Sequence, residues 1–278
     1  ELMELCDRAE ARKKNRNELQ QQLRRSAIHA LETAETEEDF KKSWHFVRDN
    51  FSAITEAPDI INSLRKLLLT LAVHGKLTIQ YQSETPADVP TFNEIESPYK
   101  IPYNWKWSQL WNLVNLKSGS TFDQEILSPN GELPYLKVKD LSLRCNTLEI
   151  KASSQYVKKD LSIDKKIIPP NSIIFPKRGG AIATNKKRIV FQEILVDTNI
   201  MALICDKQPN INLSYLYLWF STIALESLNT GTSVPQINNK DIGPLLVPVP
   251  PLEEQKRIVK KVDELMKCCD RVEENLSK

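Results

Sequence analysis

The chain has 278 residues, 41% hydrophobic and 27% charged, with 7 glycines, 16 prolines and a formal net charge of +2. That composition excludes disordered, collagen-like and low-complexity classes. The longest apolar stretch, 213–228, is broken by Ser, Thr and Glu and falls short of the roughly 18–20 residues that span a bilayer, so no membrane is expected.

Residues 1–33 lack Gly and Pro and are dominated by Glu, Leu, Gln, Lys, Arg and Ala, which predicts a helix. Residues 37–54 predict a second, with Phe40, Trp44, Val47 and Phe51 at helical spacing. Pro58 opens a third whose stripe is Ile61, Leu64, Leu68, Leu71 and Ala72, and Gly75 supplies its stop. The stretch 80–102 carries Pro86, Pro90, Pro98 and Pro102 and reads as a linker. From Tyr103 to Val249, short β-type runs alternate with turn signals: 133–138, 172–175, 188–191 and 200–204, with one helix at 214–228. Pro248, Pro250 and Pro251 end this region. A last Gly-free helix, 252–277, places Ile258, Val262, Leu265, Cys269, Val272 and Leu276 at spacings 4, 3, 4, 3, 4, a heptad seam for a partner helix. The expected fold class is α+β: one mixed or antiparallel-sheet domain flanked by long helices that pair as an antiparallel coiled coil. The expected boundaries are a helical region at 1–80, a linker at 81–102, the sheet domain at 103–249 and a C-terminal helix at 250–278.

The net charge conceals a polarity. Residues 137–190 hold 13 Lys/Arg and 4 Asp/Glu, a net of +9, against −7 for the rest. Such a block is the footprint of a polyanion partner, or else a solvated lysine-rich face. Cys6, Cys145, Cys205, Cys268 and Cys269 form no C-x-x-C pair, and His29, His45 and His74 have no ligand spacing. That argues against a metal site and a disulfide framework, and fits reduced thiols in the cytoplasm. Trp105, Trp107 and Trp111 read as core anchors more than as base-stacking groups, and His74 as a helix C-terminal residue favourable to the dipole.

The segment 264–273, ELMKCCDRVE, matches 1–10, ELMELCDRAE, at seven of ten positions. Leu265, Cys269 and Val272 thereby correspond to Leu2, Cys6 and Ala9. The expectation is a duplicated unit of domain and helix, with the chain beginning inside a first copy of the helix. Its opening on Glu1 and not Met agrees. No G-x-x-x-x-G-K-[ST], G-x-G-x-x-G, G-x-S-x-G or H-E-x-x-H occurs, so the sequence offers no catalytic constellation and no cofactor is expected.

The run from Pro250 to Met266, PPLEEQKRIVKKVDELM, resembles the signature of specificity (S) subunits of type I restriction–modification systems. Trp105, Trp107 and Leu110 are similar to the opening of a target recognition domain in that family. Residues 133–141 (LPYLKVKDL) resemble its strand, 175–181 (FPKRGGA) its basic glycine loop, 232–238 its polar turn, and 71–77 the close of its central conserved region. A full-length member has two recognition domains and two helical regions, so this chain resembles the back half. The acidic helical segment 35–57 is outside these motifs.

The resemblance implies a non-catalytic subunit that reads one half of a split site in double-stranded DNA and holds methyltransferase (M) subunits. In such systems a restriction (R) subunit joins the full complex. Lys137, Lys139, Lys158, Lys159, Lys165, Lys166, Lys186 and Lys187 are then candidates to neutralise phosphates. Lys177, Arg178, Asn185, Arg188, Thr232, Ser233 and Gln236, in loops flanked by strands, are candidates for base edges. The competing expectation is a helical protein–protein scaffold without DNA readout. A self-contained methyltransferase or nuclease lacks the room and the Gly-rich turn.

Overall fold

The computed structural model describes residues 2–34, 37–50, 60–92, 97–158, 163–231 and 234–276. In chain order its elements are α1 (Leu2–Thr33), α2 (Glu37–Asp49), α3 (Ile60–Val73), β1 (Lys106–Gln109), α4 (Leu110–Leu113), β2 (Asn115–Ser118), β3 (Leu127–Ser128), β4 (Leu133–Leu136), β5 (Gln155–Val157), β6 (Ser172–Pro176), β7 (Arg188–Val190), β8 (Leu195–Val196), β9 (Ile200–Ile204), α5 (Leu213–Thr222), α6 (Asn239–Ile242), β10 (Leu246–Val249) and α7 (Leu252–Leu276). The chain divides into two units, residues 1–72 with 261–278, and residues 73–260.

The first unit is helical. Ala27 and Leu31 of α1, Val47 of α2, Ile61, Leu67 and Leu71 of α3, and Cys269 of α7 are buried in one cluster, with Val272 packed against it. The α7 seam was expected to meet a single partner helix. Cys269 and Val272 instead sit among three, because α2 and α3 each bring an apolar face. Val262 is also buried, whereas Leu265 is only partly covered. The side chains of Leu2, Cys6, Ala9 and Leu276 lie outside the described residues, as do those of Phe40, Phe51 and Pro58. Arg65 donates from Nη2 to Asp270 Oδ1 and Glu273 Oε2, both at 2.7 Å, tying α3 to α7 at the surface. Trp44, expected on the apolar face of α2, is half exposed. The face that α2 buries is set by Val47.

The second unit carries the sheets. The order β2-β9-β6-β7 forms an antiparallel sheet, β3-β5-β4-β8 a mixed one, and β1-β10 an antiparallel pair. Alternation along β6 and β9 decides the layering, since side chains on a strand face opposite sides in turn. Ile173, Phe175, Met201 and Leu203 pack with Leu216, Trp219 and Phe220 of α5. Ile174, Ile200, Ala202 and Ile204 pack with Leu136, Ile168, Ile194 and Val196. Both faces of β6 are thus buried, and its sequence is apolar throughout except for Ser172, whose hydroxyl donates to Pro169 O.

The stretch 81–102 is not a free linker. Ala87 and Val89 join the core, Phe92 N donates to Trp107 O, and Tyr99 stacks on His74 with centroids 3.7 Å apart. Gly75 adopts φ +72, and a Cβ there would meet Pro102 Cγ at 2.4 Å, so the end of α3 needs glycine twice over. Trp105 and Trp107 are buried as anchors, while Trp111 is exposed over Gly243. The strand expected at 133–138 ends at Leu136 and passes into a 3-10 turn, Val138–Ser142, because buried Asp140 accepts from the backbone N–H of Lys137 and Ser154. The helix expected at 214–228 stops at Thr222 and resumes as a 3-10 turn, Leu225–Leu228. Among the described residues no helix is long and apolar enough to cross a membrane, and no cluster of three metal-ligating side chains occurs.

At the start of α7, Glu254 is fully buried. Its Oε1 accepts from Thr78 Oγ1 and Gln80 Nε2, both at 3.0 Å, and its Oε2 accepts from Trp105 Nε1 at 2.9 Å. Its neighbour Gln255 is equally buried, accepting from Asn212 N and donating to Asn210 O and Pro250 O.

Two outcomes follow. Replacing Glu254 by Ala strands the buried Trp105 Nε1 and takes an acceptor from half-buried Thr78, while Gln80 Nε2 keeps Gly75 O and Thr78 O; urea titration is expected to show a loss of about 2–4 kcal/mol with an unchanged slope. Burial, aided by the nearby Lys76 charge, pushes the His74 imidazole down to about 4, so the dipole role expected for a charged ring gives way to stacking of a neutral one. The folded state therefore binds fewer protons than the unfolded chain between these pKa values, and stability falls as pH drops from about 6.5 toward 4. His74→Phe should flatten that part of a urea midpoint-versus-pH profile.

Candidate nucleic-acid interface

The connection from β6 to β7, residues 177–187, carries five of the sequence-predicted contacts, Lys177, Arg178, Asn185, Lys186 and Lys187. It leaves the sheet at Lys177, turns through Gly179 (φ +74, ψ −171) and runs as a 3-10 turn over Gly180–Thr184. Buried Ile182 pins that turn into the core. Asn185, in the left-handed region at φ 51, ends it.

A second loop, 230–238, meets the first. Arg178 and Gln236 form an antiparallel bridge, Gly179 N donates to Pro235 O at 2.8 Å, and Ile237 N donates to Lys177 O at 2.9 Å. Asn229 Oδ1 accepts from the backbone N–H of Gly231 and Gln236, which shapes the polar turn. Thr232 and Ser233, inside that turn, lie outside the described residues. Lys177 Nζ donates to Ser118 Oγ at 2.8 Å, and Gln236 Nε2 to Asn238 Oδ1 at 2.7 Å. Partial burial and the adjacent Arg178 charge press the Lys177 ammonium below the usual lysine range. Arg178 itself is exposed. The fold therefore brings Lys177, Arg178 and Gln236 together.

A third segment arrives beside β7. Lys186 Nζ donates to Ser142 Oγ at 2.6 Å, joining the 3-10 turn that holds exposed Lys139 and adjoins exposed Arg144. Lys137 lies within 5.8 Å of the Tyr135 ring centroid.

Two predicted contacts turn inward instead, and a third, Asn185, is tied through its side-chain oxygen. Lys187 is only 3% exposed. Its Nζ donates to Ile223 O at 2.6 Å and Asn185 Oδ1 at 2.9 Å, and burial pushes its pKa down to about 7. Arg188 spends its guanidinium on backbone carbonyls, those of Asn146, Lys187 and Leu141. Asn185 Oδ1 accepts from Leu225 N and from Lys187. Lys187 and Arg188 tie segments together and do not offer donors at the surface, whereas Asn185 ties the loop through its Oδ1 and is itself exposed. Lys158 follows β5, and Lys165 and Lys166 lie in a 3-10 turn with Lys166 over the Phe122 ring; Lys159 is outside the described residues. The sequence reading missed Ser118 and Ser142, the hydroxyls that orient Lys177 and Lys186. It also passed over Arg144, whose only signal was membership of the basic block.

A family model described as type I restriction modification DNA specificity domain matches residues 102–278. The Escherichia coli type I restriction enzyme EcoAI specificity subunit is 23% identical over 98% of this chain and 51% of its own length, and the EcoDI specificity subunit is 26% identical over 83% of this chain and 52% of its own. The chain thus spans about half the length of the curated relatives it matches. Among solved structures, the HsdS subunit from Thermoanaerobacter tengcongensis has a TM-score of 0.52 at 16% identity, covering 85% of this chain and 52% of that one. A chain from a study of type I R-M complex assembly and conformational transition has a TM-score of 0.55 at 16% identity, covering 83% and 53%. These likenesses establish a shared fold.

Gly179 holds the junction in a backbone region that only glycine occupies comfortably, and a Cβ there meets nothing within 4 Å. Gly179→Ala is therefore expected to cost about 1–3 kcal/mol through backbone strain alone. Amide chemical-shift changes should concentrate at 177–180 and 235–237.

Proposed function

The chain belongs to the type I restriction modification DNA specificity domain family, and from that premise we propose that it reads sequence in double-stranded DNA, one half of a bipartite site, as a recognition component without catalysis of its own. The observation that carries this reading is the meeting of the 177–187 and 230–238 loops, which gathers Lys177, Arg178 and Gln236 at one place. Exposed Arg178 supplies the paired donors that suit guanine, and Gln236 the amide that suits adenine. Thr232 and Ser233, in the same turn of the sequence, complete the proposed base-reading set. Lys139, Arg144 and Lys186 neutralise phosphates, with Lys137 beside them and Lys158, Lys159, Lys165 and Lys166 as further cations. Lys187 and Arg188 are withdrawn as contacts, since their donors are engaged inside the fold, and Asn185 is read as a loop tie because its Oδ1 holds Leu225 N and Lys187 Nζ.

In this reading the helical segments serve the methyltransferase subunits, and a restriction subunit joins the assembled complex. The exposed positions Lys260, Glu264, Lys267 and Arg271 recur along α7 at spacings of 4, 3 and 4 and offer a charged stripe for such a partner. Reversing the charge of all four should abolish co-purification with the methyltransferase subunit while leaving the thermal transition in place.

The DNA reading is tested by fluorescence anisotropy on mixed-sequence duplex. Affinity should fall steeply between about 50 and 200 mM salt. Lys139→Ala and Lys186→Ala should each reduce the slope of log affinity against log salt by about 1. Binding indifferent to salt would instead favour a protein-binding scaffold.

A further inference from the structure

Lys187 and Asn185 stand inside the basic segment yet contribute no surface charge. Lys187 extends into the unit, where its Nζ caps the carbonyl of Ile223, the residue that closes α5. A cation at a helix C-terminus is favoured by the dipole and by the unpaired carbonyls there. The same Nζ lies 4.8 Å from the Phe220 centroid and donates to Asn185 Oδ1. Asn185 Oδ1 also accepts from Leu225 N, so one amide oxygen and one ammonium join the loop to both sides of the break between α5 and the following 3-10 turn. Tyr217 adds a hydroxyl to Lys187 O at 3.4 Å. On either side in sequence, Lys186 reaches Ser142 and Arg188 reaches Leu141 O. The outer two of three consecutive basic residues thus lead to one 3-10 turn, Val138–Ser142, and the middle one fixes the loop to the end of α5.

We propose that Lys187, with Asn185, is a specificity-determining positioning residue: it touches no DNA, and it holds the β6–β7 loop in the register that brings Arg178 beside Gln236. The inference rests on the DNA reading above. It separates two quantities that a surface lysine would move together. Losing a phosphate contact lowers affinity for all sequences and reduces the salt slope by about 1. Losing a positioning group leaves the charge facing the phosphates intact and blurs the discrimination between bases.

The full chain is equilibrated with a randomised duplex library and the bound fraction sequenced, for the unaltered protein, Lys187→Met and Asn185→Gly. The glycine variant keeps the left-handed backbone at φ 51 and removes only the amide. The expected result is that the unaltered chain enriches a sequence. Lys187→Met should keep the salt slope and lose about tenfold or more of the discrimination, with Asn185→Gly losing a smaller part. A slope reduced by about 1 with discrimination preserved makes Lys187 a phosphate contact and overturns the proposal. Unchanged slope and discrimination in both variants also overturn it, while leaving the DNA reading intact. If Lys187→Met does not fold, Asn185→Gly decides: discrimination lost at constant slope supports the proposal, and discrimination retained overturns it. Failure of the unaltered chain to enrich any sequence overturns the DNA reading itself, and this inference with it.

Discussion

A carboxylate without access to water organises the second unit. Glu254 gathers donors from Thr78, Gln80 and Trp105, residues 176, 174 and 149 positions away in the chain. A buried charge is costly unless its lone pairs are filled, so the arrangement is close to all-or-none. With all three donors present, the segment after α3, the entry to β1 and the first turn of α7 are fixed together. The carboxylate also lies in the first turn of a helix, where the dipole favours negative charge. Gln255 repeats the device with backbone partners, anchoring Asn210, Asn212 and Pro250 to the same turn. The proline-rich boundary and the acidic-amide pair after it therefore form one anchor.

The basic block divides its charge between two tasks. Lys187 and Arg188 donate to main-chain carbonyls and act as cross-links within the sheet domain, as does Lys117 outside the block. Lys139, Arg144 and Arg178 remain at the surface. The division follows from the short strands. Segments that lack long ladders leave carbonyls unpaired, and long cationic side chains reach them. A charge total over 137–190 consequently overstates what a polyanion would meet, and its exposed part also includes Lys151, Lys158, Lys165 and Lys166.

The helical unit shows how a seam in sequence differs from a seam in space. The heptad of α7 is regular enough for a two-stranded coiled coil, but α3 presents Leu64, Leu67, Leu68 and Leu71, and α2 presents Val47. A helix buries its apolar stripe against whatever faces surround it. Cys269, a small apolar residue in a crowded cluster, fits that setting, and Cys268 next to it is exposed.

The sequence by itself determined the long helices α1, α3 and α7, the strands at β6, β7 and β9, the proline boundary, the family resemblance and the stretch of charge, because each is written in local periodicity or contiguous composition. It also located the glycine stop at Gly75 and the tryptophan anchors Trp105 and Trp107. Only the tertiary structure decided that Ala87 and Val89 of the 81–102 stretch join the core, that Trp111 and Trp44 stay exposed, that Lys187 and Arg188 serve the interior, and that Asn185 Oδ1 ties the loop to Leu225. The physical reason is that side-chain partners come from residues distant in the chain, such as Ile223, Leu141 and Leu225. A lysine read along the sequence is a charge in water until the fold brings a carbonyl within reach of it.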